Sequence, residues 1–259
     1  MLEKSSNPVF SKSTFAPSLS STQQGVMTLQ GTINKSIILL LTIIVSASLT
    51  WNMVQQGNAS VGGLMMGGLI LGFITAMVTI FKKEWAGITA PIYAVFEGLF
   101  LGGVSAFVEA AFFASKEPGV ASTSNGIVFN AVALTFGVFL LMLLLYRNQI
   151  IKPTQKFMMG VAAATGAIFL LYLVNMIMGF FGASMPFLHS NGPLGIGISL
   201  VIVVVAALNL IIDFKNIEDA VAQGAPKYME WFGAFGLMVT LVWLYLEILR
   251  LVALLTGRD

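Results

Sequence analysis

Three carboxylates stand inside stretches that are otherwise almost wholly apolar: Glu97 in "YAVFEGLFLG", Asp213 in "LNLIIDFKN" and Glu247 in "LVWLYLEILRLVALL". An acid in hydrocarbon is costly, and by default it points to an ion pathway, a proton relay or an ion site. Each also has a structural reading. Glu97 is expected either on such a path or as a protonated acid hydrogen-bonded across helices. Asp213 is expected either in the bundle interior or at an interface, capped by water, Lys215 and Asn216. Glu247 and Arg250 are spaced i, i+3, which suits an ion pair on one helix face. That face is polar beyond the pair, because Thr240, Trp243, Glu247 and Arg250 follow helical spacing. Asn209, Asp213 and Asn216 do the same in the preceding run. Two polar faces on adjacent segments are expected to meet inside the molecule.

The elements that carry these acids follow from composition. Of 259 residues, 57% are hydrophobic and 9% charged, against about 25% charged in an ordinary soluble domain. Charge this scarce cannot cover a water-facing surface. Seven apolar runs, at roughly 36–54, 61–81, 87–112, 127–146, 157–181, 193–213 and 231–256, approach the ~20 residues a helix needs to span hydrocarbon. The alternating ten-residue segments of a transmembrane barrel are missing. The expected fold is all-α, a polytopic bundle of seven transmembrane helices. Residues 1–33, rich in Ser, Thr, Asn and Pro, read as a disordered polar tail, and 34–259 as the membrane domain.

Positive charge orients the bundle. With loops assigned alternately to two sides, one side collects ten Lys and Arg, from Lys4 through Lys227, and the other collects Lys116, Arg250 and Arg258. The N-terminus is therefore expected in the cytoplasm and the C-terminus outside. Glycine pairs such as Gly68 and Gly72, or Gly98 and Gly102, allow backbones to approach. If the last helix is central, Gly233, Ala234 and Gly236 are expected to face close neighbours. Glu218, Asp219 and Glu230 read as wetted loop acids.

Several classes fare badly. The net charge of +2 gives no sign of a nucleic-acid partner. There is no cysteine for thiolate or zinc chemistry. The single histidine, His189, falls in a loop, and no span holds a histidine to serve a serine nucleophile. The expectation is no enzyme and no resident cofactor, with the lipid bilayer and ions as partners and protein partners undefined.

The last two spans, "ALNLIIDFKNIE" and "WLYLEILRLVALL", resemble the Bax inhibitor-1 family, also called the transmembrane Bax inhibitor motif family. The third-span "APIYAVFEGLFLG" and the tail's "SSNPVF" are similar to a bacterial branch of it, which implies the plasma (inner) membrane. The resemblance implies a central seventh helix wrapped by the other six. It also implies two acids, one in each of the last two helices, that share a proton in connection with a pH-sensitive calcium leak. Asp213 matches the first. Glu247 stands where the family pattern has aspartate. A calcium or proton leak gated by buried carboxylates is then the expected function, with a weak, transient Ca²⁺ site at Asp213 and Glu247. A non-transporting stress-response or interaction protein is the alternative. Helix geometry sets a condition on the pair. Glu247 lies 17 residues, ~25 Å, beyond Glu230, and Asp213 lies 20 residues, ~30 Å, beyond Pro193. The two acids approach only if the sixth helix continues past Asp213 or the seventh enters the membrane late. Otherwise Glu247 pairs with Glu97 or Arg250.

Overall fold

A computed structural model describes residues 25–114, 126–182, 185 and 192–256. The expected tail up to residue 24 and His189 lie outside these. The described chain forms seven long helices: α1 Leu29–Gln55, α2 Val61–Phe81, α3 Ala86–Ala114, α4 Ile127–Arg147, α5 Gln155–Phe180, α6 Pro193–Ala222 and α7 Met229–Thr256. All seven are long and apolar enough to cross a membrane. The chain is an all-α polytopic membrane protein.

Local chemistry sets the helix ends. Thr28 caps α1, its hydroxyl accepting from the Gly31 N–H at 3.0 Å. The helix therefore begins before residue 34, the expected start of the membrane domain, and before the apolar run at 36. Pro193 opens α6, where its missing N–H costs nothing. Gly224, with φ +67°, supplies the left-handed step that ends α6 and turns the chain toward α7. Glu109 of α3 reaches the start of α4 and accepts from the Val128 N–H at 3.0 Å.

α7 packs on α1, α3, α4 and α6, and α5 reaches it through Tyr172. It is the central helix. α2 instead lies on α3 and α1. Tyr93 of α3 meets Phe235 of α7 edge-on, with centroids 5.0 Å apart, and Ser105 of α3 lies 2.7 Å from the Tyr245 hydroxyl of α7. Leu210, Ile211, Met238 and Leu244 are fully buried between them and their neighbours. Large apolar side chains such as Phe73, Phe169 and Val201 face outward. A soluble protein would hide such side chains, whereas a bilayer solvates them.

The glycines show where backbones touch. A Cβ on Gly102 would stand 2.0 Å from the Ala47 carbonyl oxygen, and one on Gly98 2.5 Å from that of Ile43, so α1 and α3 meet backbone to backbone. Gly68 seats α2 against Phe96 in the same way. In α7 the expectation divides. Ala234 is fully buried and Gly233 is close to Ile217, but Gly236 has nothing within 4 Å of its Cβ position and needs no small residue.

Candidate functional site

α6 is 30 residues long and runs nine residues past Asp213, so the condition for bringing the last two helices' acids toward one another is met. The register then decides how close they come. Asp213 lies against the Thr240 side chain of α7, and Ile217, one turn further along α6, lies against Gly233. Thr240 and Glu247 are seven residues apart, two turns and ~10 Å along one face of α7. Among the described residues no hydrogen bond or ion pair joins Asp213 to Glu247. The acids share a seam at two different levels.

Glu247 is buried, and its environment was only half legible. Its Oε1 accepts from the Tyr172 hydroxyl of α5 at 2.6 Å. Arg250 Nη1 donates to that same hydroxyl at 2.9 Å. The expected Glu247–Arg250 partnership is thus mediated by a tyrosine from another helix. Trp243, one turn back, also reaches the carboxylate. Between the two acid levels, Asn209 donates to Thr165 Oγ1 of α5 at 2.8 Å and to the Val205 carbonyl at 2.8 Å. Thr165 and Tyr172 are themselves seven residues apart and share a face of α5.

The seam therefore carries, in order, Asp213 with Thr240, Asn209 with Thr165, and Glu247 with Tyr172 and Arg250. Two of its oxygens are unmatched. Asp213 Oδ2 and Glu247 Oε2 are buried without a hydrogen-bond partner. Buried polar atoms normally have one, so these two stand out. The described residues hold no group of three or more His, Asp or Glu side chains that would make a closed metal site.

Two expected members lie elsewhere. Glu97 faces α2, where a Cβ on Gly72 would stand 3.5 Å from its Oε2, and its charge is felt by Tyr93 on its own helix. Asn216 is exposed, because beyond Asp213 the helix contact continues through Ile217 and not through Asn216. Lys215 pairs with Asp219 instead of capping Asp213.

One further acid is not wetted, contrary to expectation. Glu230 is fully buried. Its Oε1 accepts from the Thr28 N–H at 2.9 Å, the Thr28 hydroxyl at 2.9 Å and Lys227 Nζ at 2.8 Å, and its Oε2 pairs with Lys35. The segment before α1 adds backbone pairing to the α6–α7 turn, Met27 N to Ala225 O at 2.7 Å and Lys227 N to Gly25 O at 3.2 Å. This cluster ties three elements together with both Glu230 oxygens partnered, so it reads as a fastening rather than an ion site. A separate cavity of about 330 Å³ between α1, α3, α4 and α7 is lined mainly by apolar side chains such as Ile44, Leu101, Val132 and Leu241, and holds no carboxylate.

A family model described as Bax inhibitor 1 like matches residues 7–257. The chain belongs to that family. No curated protein and no solved structure matches it. For a Bax inhibitor 1 like protein, the match takes in all seven helices and both acid levels of the seam.

Proposed function

We propose that this Bax inhibitor 1 like protein is a calcium or proton leak whose path follows the seam between α5, α6 and α7, with Asp213 and Glu247 as its gating groups. One observation carries the reading: each acid presents a buried oxygen with no partner, on the face where the two most conspicuous polar stripes meet. A closed protein interior has no use for two such oxygens. A pathway that binds weakly and releases does.

The chemistry gives the sign of the pH response. A protonated carboxyl is neutral and offers a cation little. Once ionised, it presents charge and two oxygen ligands in a low-dielectric setting. Ca²⁺ takes 6–8 oxygens, so two acids with Thr240, Asn209 and Tyr172 nearby would hold it only in passing. Leak is therefore expected to rise with pH. Arg250, held on the Tyr172 hydroxyl, tempers the negative charge at the Glu247 level. The two acids act as successive stations rather than as one touching pair.

The distribution of basic residues, ten against three, supports an N-terminus in the cytoplasm and a C-terminus outside; the plasma (inner) membrane rests on the resemblance to the bacterial branch alone. No enzymatic role is proposed. The test is passive Ca²⁺ and H⁺ flux in liposomes containing the purified protein. Flux above that of empty vesicles, lost in Asp213→Asn, supports the leak. Flux equal to empty vesicles at every pH replaces it with a non-transporting membrane interaction protein.

A further inference from the structure

Ser199 on α6 is fully buried, and its Oγ has no hydrogen-bond partner. Other hydroxyls in this bundle behave differently. Those of Ser36, Ser105, Thr135 and Thr165 each return a bond to the carbonyl four residues back. Ser199 does not, and a buried hydroxyl left without a partner is destabilising unless something else supplies one.

Its position is not arbitrary. Ser199, Ala206 and Asp213 recur at seven-residue steps and so lie along one stripe of α6. That stripe includes the buried Gly195, Ile202, Ala206 and Leu210, and α7 is the helix packed most closely on α6. The contacts of Asp213 with Thr240 and of Ile217 with Gly233 set an antiparallel register. Continued along the pair, it places the small side chain of Ala206 near the level of Glu247. Ser199 comes two turns further, near the end of α7. The three partnerless oxygens, Asp213 Oδ2, Glu247 Oε2 and Ser199 Oγ, thus follow one another at steps of ~10 Å.

We propose that Ser199 is the far-side station of a narrow file of water running along the α6–α7 contact. This rests on reading the seam as an ion path, and it names where that path leaves the protein, on the side opposite the N-terminus. Water provides both a donor and an acceptor to each unmatched oxygen, and three or so molecules at hydrogen-bond spacing, ~2.8 Å each, bridge one step. Ala206, at the level of Glu247, keeps a small side chain at the middle of the file. Thr165 and Asn209 are satisfied by each other and line the file without depending on it.

The cysteine-free chain permits a direct test. Ser199→Cys, Ala206→Cys and Val201→Cys are reconstituted separately in liposomes. A small cationic methanethiosulfonate is applied to both faces, and modification is followed by intact mass. Thiols react as thiolates, which form in contact with water and not in hydrocarbon. Val201 faces outward toward lipid and serves as the dry reference. Ser199→Cys and Ala206→Cys are expected to react roughly tenfold or more faster than Val201→Cys. If Ser199→Cys reacts no faster than Val201→Cys, the file is overturned and the hydroxyl belongs to a dry helix contact. Should Ser199→Cys not purify as folded protein, Ala206→Cys decides by the same comparison. An unreactive pair beside intact, carboxylate-dependent flux refutes the file and spares the leak. A reactive pair without flux upholds the file and refutes the leak.

Discussion

Tyr172 of α5 donates a 2.6 Å hydrogen bond to Glu247 of α7, and Arg250 donates to the same phenol oxygen from one turn further on. The carboxylate is thereby tied to a helix that barely touches α7 elsewhere. Tyr172→Phe keeps the ring and removes the bridge, leaving Glu247 Oε1 without this donor. Interhelical hydrogen bonds in membranes are worth about 1–2 kcal/mol at most, so a stability loss of that order is expected. Thermal unfolding in detergent checks it. A variant as stable as the parent would show that the phenol is not the bond that matters.

Glu230 gives a larger expectation. Glu230→Ala leaves Lys35, itself largely buried, without its counter-charge and opens the join between the chain start and the α6–α7 turn. Removing one member of a buried pair costs about 3–5 kcal/mol. Lys227→Ala touches the same acid from an exposed position and is expected to cost no more than about 1 kcal/mol. Equal losses in the two variants would contradict this division.

Glycine substitutions separate close contacts from open ones. Gly102→Ala places a methyl group against the Ala47 backbone and is expected to cost about 1–3 kcal/mol or prevent folding. Gly236→Ala meets open space and is expected to fold unchanged. Expression and melting temperature of the two variants, side by side, report the outcome.

Topology has its own assay. Asn58→Cys, in the α1–α2 turn, is expected to label with an impermeant thiol reagent on intact cells, and Lys152→Cys, in the α4–α5 turn, to stay shielded. The reverse pattern would invert the orientation drawn from the basic residues.

The spans and the identity of the inner acids were legible in the sequence because hydropathy and helical spacing are local properties. Glu247 announced itself as an acid on an apolar helix, with Thr240, Trp243 and Arg250 on the same face. Its partner did not. Tyr172 in "LLYLVN" is an unremarkable residue of a lipid-spanning helix, and only the register of α5 against α7 gives it a role. Glu230 misled for the opposite reason. Two residues into a helix and beside a turn, it reads as wetted, while the donors that bury it, Thr28 and Lys35, lie about 200 positions away. Asn216 continued the α6 stripe by spacing alone, but the helix contact runs through its neighbour Ile217 instead. The two-turn offset between Asp213 and Glu247 likewise depends on how one helix slides along another.

The central claim, that Asp213 and Glu247 are successive gating stations on one path, is tested most directly by Ca²⁺ flux against pH in liposomes. The set comprises the parent protein, Asp213→Asn, Glu247→Gln and the double variant. The account predicts flux that rises with pH in the parent, a flattened pH response in either single variant, and little further change in the double, because losing either station already interrupts a path on which both stand in series. An unchanged pH response in Glu247→Gln, or effects that simply add in the double variant, would contradict it.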